Sequence, residues 1–317
     1  MTPLLRPRPS EERAVLQSVV YAALFDYPLT VTQLRESLIG EVADESTLLR
    51  WFNSSAYLQR TVEYVDGYFF PRGRRDLLLT RARREVTSRA LLTELQGPLR
   101  IITHMPFVRM VALSGSLAHL NAEPDADLDL FVITSPHRVW TTTVLTLAIA
   151  RLLGWRRRLC LNYVVSERAL WIAPADLFSA NQIVHLQPLI GEATYLKFLD
   201  ANRFVERFYP NFTRRSVSAR EPRTWLEPLF DYTVGPIVEQ VCHVLYRTHL
   251  KRRAHTWKSR DQVRLEPECL KLHTQSHRRE VMERFERALD DALRRAEADR
   301  LSYGLTRAES RRRRVSW

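Results

Sequence analysis

Apolar positions recur at helical spacing near the start of the chain, at Val15, Val19 and Ala22. Ser10 before them and Glu11 and Glu12 in the first turn predict a helix from Ser10 to about Phe25, closed by Asp26-Tyr27-Pro28. Thr30 and Gln33 form a capping-box pattern that opens a second helix running to about Ile39. Asp44 caps a third, which carries Leu48, Leu49 and Phe52. Val62–Val65 and Tyr68–Phe70 then flank Asp66-Gly67, a strong hairpin signal. Three helices followed by a hairpin is the order of a winged helix. Asp76 to about Thr103 reads as helix, interrupted at Gly97-Pro98.

The pattern changes at Val111. Val111 to Leu113 is a short apolar run ending in Ser114-Gly115-Ser116, and a second apolar run, Leu130 to Ile133, follows Asp127-Leu128-Asp129. This reads as strand, tight turn, short helix, loop and strand. Side chains alternate along a strand, so Asp127 and Asp129 share a face. Two like charges side by side repel, and a divalent cation held by hard oxygen ligands removes the conflict. Gly115 lets a phosphate approach the backbone, Ser116 adds a hydroxyl, and the following helix start offers free N–H groups. Ser135 and Pro136 open the next helix, His137–Leu153, which Gly154 ends. Leu159 to Val165 supplies a third strand. Beyond Glu167 the chain is expected to be helical, over Asp176–Gln187, Ala193–Phe208, Thr224–Ala254 with breaks, and Pro267–Arg300.

The stretch from Val111 to Thr134, with GS, ten residues and then DxD between apolar strands, resembles the DNA polymerase β-type nucleotidyltransferase superfamily. The wording PDADLDL is similar to its small bacterial members, some of which carry a winged-helix module before the transferase domain. The resemblance implies an α/β (α+β) nucleotidyltransferase core with a mixed sheet. The chain is therefore divided into a winged-helix-like module with its connecting helix at 1–98, the core at 99–170, and an all-α C-terminal region with a basic tail at 171–317. The implied reaction moves a nucleoside monophosphate from an NTP such as ATP onto a hydroxyl of a small molecule, protein or nucleic acid, releasing pyrophosphate. Asp127 and Asp129 would hold Mg²⁺ or Mn²⁺, and Ser114, Gly115 and Ser116 the triphosphate. The family usually adds a third carboxylate from the strand after the helix. Here that strand, LCLNYVV, has no acid. Asn162 takes the equivalent place in this reading, on the face of Cys160 and Val164, with a role in nucleotide binding. Glu167 is the nearest substitute base.

Composition adjusts this reading. The chain has 317 residues, 45% of them hydrophobic, and a formal net charge of +12. Only four of its cations are lysine: Lys197, Lys251, Lys258 and Lys271. Arginine suits bidentate phosphate contacts, although a genome-wide arginine bias leaves the same excess. Acids outnumber bases between Ser10 and Phe70, which argues against DNA reading by the first module, while Arg72, Arg74 and Arg75 keep it open. Cys160, Cys242 and Cys269 form no CxxC pair, no secretory pattern is visible, and the apolar helix near Trp140 is too short and polar to span a bilayer. A cytoplasmic protein without a membrane partner is expected. Cys269, His273 and His277 on one helix would extend over about 12 Å, too far to share one zinc ion. Lys271 and His273 could reach a nucleotide or acceptor from that helix, and His119 a phosphate. The alternative function is a catalytically weakened, nucleotide-binding regulator whose winged helix contacts DNA or protein. A toxin–antitoxin-type protein modifier is a further form of the transferase reading.

Overall fold

The computed structural model describes residues 7–219, 226–272 and 278–295, apart from the side chains of Asn162, Leu226 and Asp261. The chain forms two compact units. Among the described residues, one is built from residues 7–82, 206–213 and 278–295, the other from residues 83–205, 214–219 and 226–272.

The first unit contains α1 (Pro9–Ala23), β1 (Leu29–Thr30), α2 (Val31–Glu36), α3 (Glu45–Ser54), α4 (Ala56–Thr61), β2 (Val62–Val65) and β3 (Tyr68–Pro71). The strands make an antiparallel sheet in the order β1-β3-β2. Thr30 caps α2 with the expected reciprocal bonds, Gln33 N to Thr30 Oγ1 at 3.2 Å and Thr30 N to Gln33 Oε1 at 3.0 Å. Asp44 caps α3, accepting from Thr47 N at 2.6 Å. The hairpin turn has φ of 52° at Asp66 and 84° at Gly67, the left-handed pair that matches strand twist. Two expectations change. α1 starts one residue early because Pro9 occupies its first turn, and Arg8 rather than Ser10 is the cap, its N–H donating to Glu11 Oε2 at 2.6 Å. α4, capped by Ser55, was not expected. Leu16, Leu34, Leu48, Leu58, Phe69 and Phe70 form the buried interior. A helix over 278–295, α14, adds buried Val281, Phe285 and Leu289 at four-residue spacing, and the Phe285 ring meets Tyr21 edge-on at 5.1 Å. Arg72 donates to the Gln59 carbonyl, Arg74 pairs with Asp26 and Asp76, and Arg75 pairs with Glu63. These arginines are held within the unit.

α5 (Asp76–Glu94) leads from the first unit into the second, and α6 (Gln96–Ile102) follows. The break falls at Leu95. Pro98 sits in the first turn of α6, where its missing N–H leaves no intrahelical bond unmade. Next come β4 (Val108–Leu113), α7 (Gly115–Ala118), β5 (Leu128–Thr134), α8 (Val139–Leu152) and β6 (Leu159–Ser166). Then follow α9 (Leu177–Val184), β7 (Gln187–Ile190), α10 (Glu192–Ala201) and α11 (Val205–Phe208), the last reaching back into the first unit. α12 (Leu226–Tyr232), α13 (Gly235–Arg252), β8 (Val263–Glu266) and β9 (Cys269–Leu272) complete the second unit.

The second unit is mixed α/β, as expected, around a six-stranded sheet in the order β7-β4-β5-β6-β9-β8. β5 and β6 are parallel, joined through α8, and the other pairs are antiparallel. The C-terminal region is not all-α. β7, β8 and β9 each add a strand to the sheet, and Cys269 and Lys271 lie on β9 instead of a helix. The run Cys269-Leu270-Lys271-Leu272 places leucine at every second position, a period of two that the helical reading of Pro267–Arg300 overlooked. His273 and His277 lie outside the described residues.

One sheet face carries Val111, Leu113, Leu128, Leu130, Val132, Leu161, Val164 and Leu270, packed in one core with Val139, Trp140 and Ala150 of α8. The threonines of α8 are compatible with burial because hydroxyls bond back one turn, Thr143 to Val139 O and Thr146 to Thr142 O, both at 2.7 Å. α8 begins at Val139 with Arg138 as cap residue, not at His137 after Ser135 and Pro136. His137 has φ of 58°, so the chain turns there before the helix can start. The first N–H groups of α8 are met from another helix. Glu239 of α13 accepts from Trp140 N at 2.9 Å and Thr141 N at 2.7 Å. Among the described residues, no helix is long and apolar enough to cross a membrane.

Candidate functional site

The site forms where β4 ends and β5 begins. Ser114 N donates to Asp129 O at 3.0 Å, closing the two strands around the turn. Gly115 then takes φ of 63°. That conformation favours glycine, and the space does too: a Cβ there would sit 2.4 Å from Asp129 Oδ2. The Asp129 carboxylate thus lies directly against the Gly115 backbone. α7 begins at Gly115, and its four residues give it little macrodipole, so any anion contact would come from local N–H groups.

β5 starts at Leu128, which leaves Asp127 exposed just outside the strand and Asp129 partly covered within it. Asp129 is held well above the usual carboxylate range, at about 6. Burial is the main cause and the Asp127 charge adds to it, while a bond from the Cys160 side chain opposes it. Asp125 is exposed in the loop before the two acids.

The register of β5 on β6 decides what faces these acids. Asp129 pairs with Cys160 and Phe131 with Tyr163, so β6 advances three residues while β5 advances two. This is a bulge at Leu161-Asn162. It reverses the alternation: Cys160 and Tyr163 share the face of Asp129, whereas Val164 joins the core on the opposite face. The expected common face for Cys160 and Val164 is therefore corrected. The position beside Phe131 on β6 belongs to Tyr163. The Asn162 side chain lies outside the described residues. Tyr163 meets Phe131 edge-on at 5.3 Å, and Lys271, paired with it across β6 and β9, holds Nζ 5.2 Å from its ring centre. Burial pushes the Tyr163 phenol up.

Glu167 is not brought to the pair. Its N–H donates to Thr134 O, at the far end of β5, five residues beyond Asp129. At strand rise this places it about 16 Å along the sheet. Its carboxylate lies 3.6 Å from Lys197 Nζ and accepts from Thr194 Oγ1 at 3.5 Å. His119 packs against His185, with ring centres 4.3 Å apart. Burial, with the neighbouring His119, lowers the His185 pKa, which keeps that ring neutral.

A recess of about 200 Å³ opens beside Ser114, Gly115 and Asp129. Its inner wall includes Phe131, Tyr163, Ile172, Ile183, Leu186 and Phe198, and Gln182 stands at its mouth. The sequence places Phe198 and α9 in expected helices, Ala193–Phe208 and Asp176–Gln187, without linking either to the site. The alternation of β5 could have flagged Phe131, two residues beyond Asp129 on the same face; nothing local marks Ile183 or Leu186.

Among the described residues, no group of three or more His, Cys, Asp or Glu side chains is arranged to hold a metal ion. Asp127 and Asp129 still suit Mg²⁺ that arrives with a triphosphate, because such ions take one or two protein carboxylates and complete their shell with phosphate and water. A carboxyl whose pKa is raised chiefly by burial, with a smaller push from Asp127, is one whose charged form a cation would stabilise. No family model matches the chain, no curated protein matches it, and no solved structure matches it.

Proposed function

We propose that the chain is a Mg²⁺-dependent nucleotidyltransferase of the DNA polymerase β type, moving a nucleoside monophosphate from an NTP to a hydroxyl acceptor. The observation that carries this reading is the close approach of Gly115 and Asp129 beside Asp127. A backbone that admits a phosphate lies against the Asp129 carboxylate, with Asp127 near enough to add to the rise of that carboxyl's pKa. Gly115 and Ser116 bind the triphosphate, and Ser114 fixes the turn through its bond to Asp129 O. Mg²⁺ held by Asp127 and Asp129 would neutralise phosphate charge and lower the pKa of the acceptor hydroxyl. The acceptor oxygen forms a bond to the α-phosphorus, the bond to the pyrophosphate oxygen breaks, and the hydroxyl proton leaves to water. Rate enhancement comes from positioning and charge neutralisation. Glu167 is too distant from the pair to serve as the base.

A second reading is favoured by one specific observation: β6 offers Cys160, not an acid, beside Asp129, and Tyr163 beside Phe131. It is a nucleotide-binding regulator with weakened catalysis. Its DNA-binding version draws little support, since Arg72, Arg74 and Arg75 are engaged within their own unit. Incubation with each of the four NTPs, Mg²⁺ and a broad acceptor set separates the readings. Pyrophosphate release by the wild type and its loss in Asp127→Ala/Asp129→Ala is the transferase result. Nucleotide binding without release is the regulator result.

A further inference from the structure

The recess beside Asp129 is unlike the Gly115 turn next to it. Five of its wall residues, Phe131, Ile172, Ile183, Leu186 and Phe198, are purely apolar and at most 6% exposed. A triphosphate cannot enter such a wall, because a charge taken from water there has no partner. A nucleobase fits it poorly as well. Its edge carries several donors and acceptors, and among the lining side chains away from the turn only Tyr163 and the exposed Gln182 are polar. Each buried base atom left unpaired keeps its desolvation cost with no bond to offset it. An uncharged apolar body suits the wall, and a single hydroxyl on that body would meet the one carboxylate lining the recess, Asp129.

On the transferase reading above, we infer that this recess holds the acceptor, and that the acceptor is an aromatic or aliphatic alcohol presenting its hydroxyl at Asp129. The apolar body lies between Phe131 on the sheet and Ile183 on α9, while the NTP occupies the polar side at Gly115. The alcohol oxygen bonds to the α-phosphorus, pyrophosphate leaves, and the proton passes to water. The product is an alkyl or aryl ester of a nucleoside monophosphate. Specificity then resides in residues of α9 that no catalytic motif marks.

The test uses the full chain and 2-naphthol as probe, with glycerol as a polar control alcohol. Equilibrium binding is followed by naphthol fluorescence without nucleotide, and transfer by label from each NTP. Two variants alter the recess: Ile183→Trp fills it from within, and Gln182→Trp plugs its exposed mouth with little demand on folding. Saturable 2-naphthol binding, weakened about tenfold or more in a folded variant, is expected. The KM for 2-naphthol should rise by a similar factor while the KM for the NTP stays within about twofold. Equal binding by wild type and Gln182→Trp, or preference for glycerol, overturns the inference. A rise in the NTP KM instead assigns the recess to the base and also overturns it. Naphthol binding with no pyrophosphate release from any NTP contradicts the transferase reading but keeps the recess as an apolar-ligand site.

Discussion

A Cβ on Gly115 would lie 2.4 Å from Asp129 Oδ2, so the glycine of the turn and the second acid of the DxD pair occupy one another's only available space. The motif is thus a single packed object, not a glycine and an acid that happen to be near in sequence. Gly115→Ala should displace the carboxylate and strain a left-handed backbone, lowering stability by about 1–3 kcal/mol. Thermal melts read the stability loss. Asp129→Asn/Gly115→Ala should lose less activity beyond Asp129→Asn than Gly115→Ala loses alone, because both act on one contact. Additive losses would contradict this coupling.

Asp129 should also make stability depend on pH. Its pKa is raised from 3.8 to about 6, first by burial. The folded chain then holds the proton to higher pH than the unfolded chain, so this group's contribution falls as pH rises through that window. Above it, the buried charge costs about 3 kcal/mol. Asp129→Asn should therefore raise the melting temperature at pH 8, with the difference from wild type shrinking towards pH 4. Mg²⁺ with an NTP should stabilise the wild type more at pH 8 than at pH 5, because only the ionised carboxyl binds the cation. Equal stabilisation at both pH values would count against Asp129 as a ligand.

Glu239 should be worth more to α8 than a surface glutamate. It accepts from Trp140 N and Thr141 N at the helix start. Glu239→Ala removes both acceptors and should cost about 1–2 kcal/mol by chemical denaturation. Glu239→Gln keeps one acceptor oxygen and should recover part of the loss.

Glu227 should be more sensitive still. It pairs with Arg109 at 2.6 Å and accepts from Phe107 N at 2.8 Å, with both side chains nearly covered. Glu227→Ala leaves a buried guanidinium without its carboxylate and should cost about 3–5 kcal/mol. Arg109→Met/Glu227→Leu, which removes both charges, should be less damaging than Glu227→Ala alone in the same denaturation measurement.

The parts legible in the sequence are those set by neighbours along the chain. Thr30 with Gln33, Asp44, and Asp66-Gly67 each fix their element through bonds spanning a few residues, and each is found as expected. The GS turn and the DxD pair were legible for the same reason. Three features were not, because their causes are remote. α8 is capped by Glu239, far along the chain, so Ser135 gave the wrong start. The bulge at Leu161-Asn162 shifts the face of every later β6 residue by one, which no alternation count reveals. β9 pairs with β6 across the whole C-terminal helical segment, and its four residues are too short for periodicity to outweigh the helical context around them. The bulge and β9 together decide what stands beside Phe131: Tyr163 on β6, with Lys271 across from it on β9.

The most direct measurement of the central claim is the fate of the nucleotide phosphates. The chain is incubated with Mg²⁺, an acceptor set and one NTP labelled either at the α- or at the γ-phosphate. Nucleotidyl transfer predicts that the α-label moves onto the acceptor while the γ-label leaves in pyrophosphate, and that Asp127→Ala/Asp129→Ala abolishes both. Release of the γ-label as single phosphate, or equal label movement in the double variant, would contradict the account.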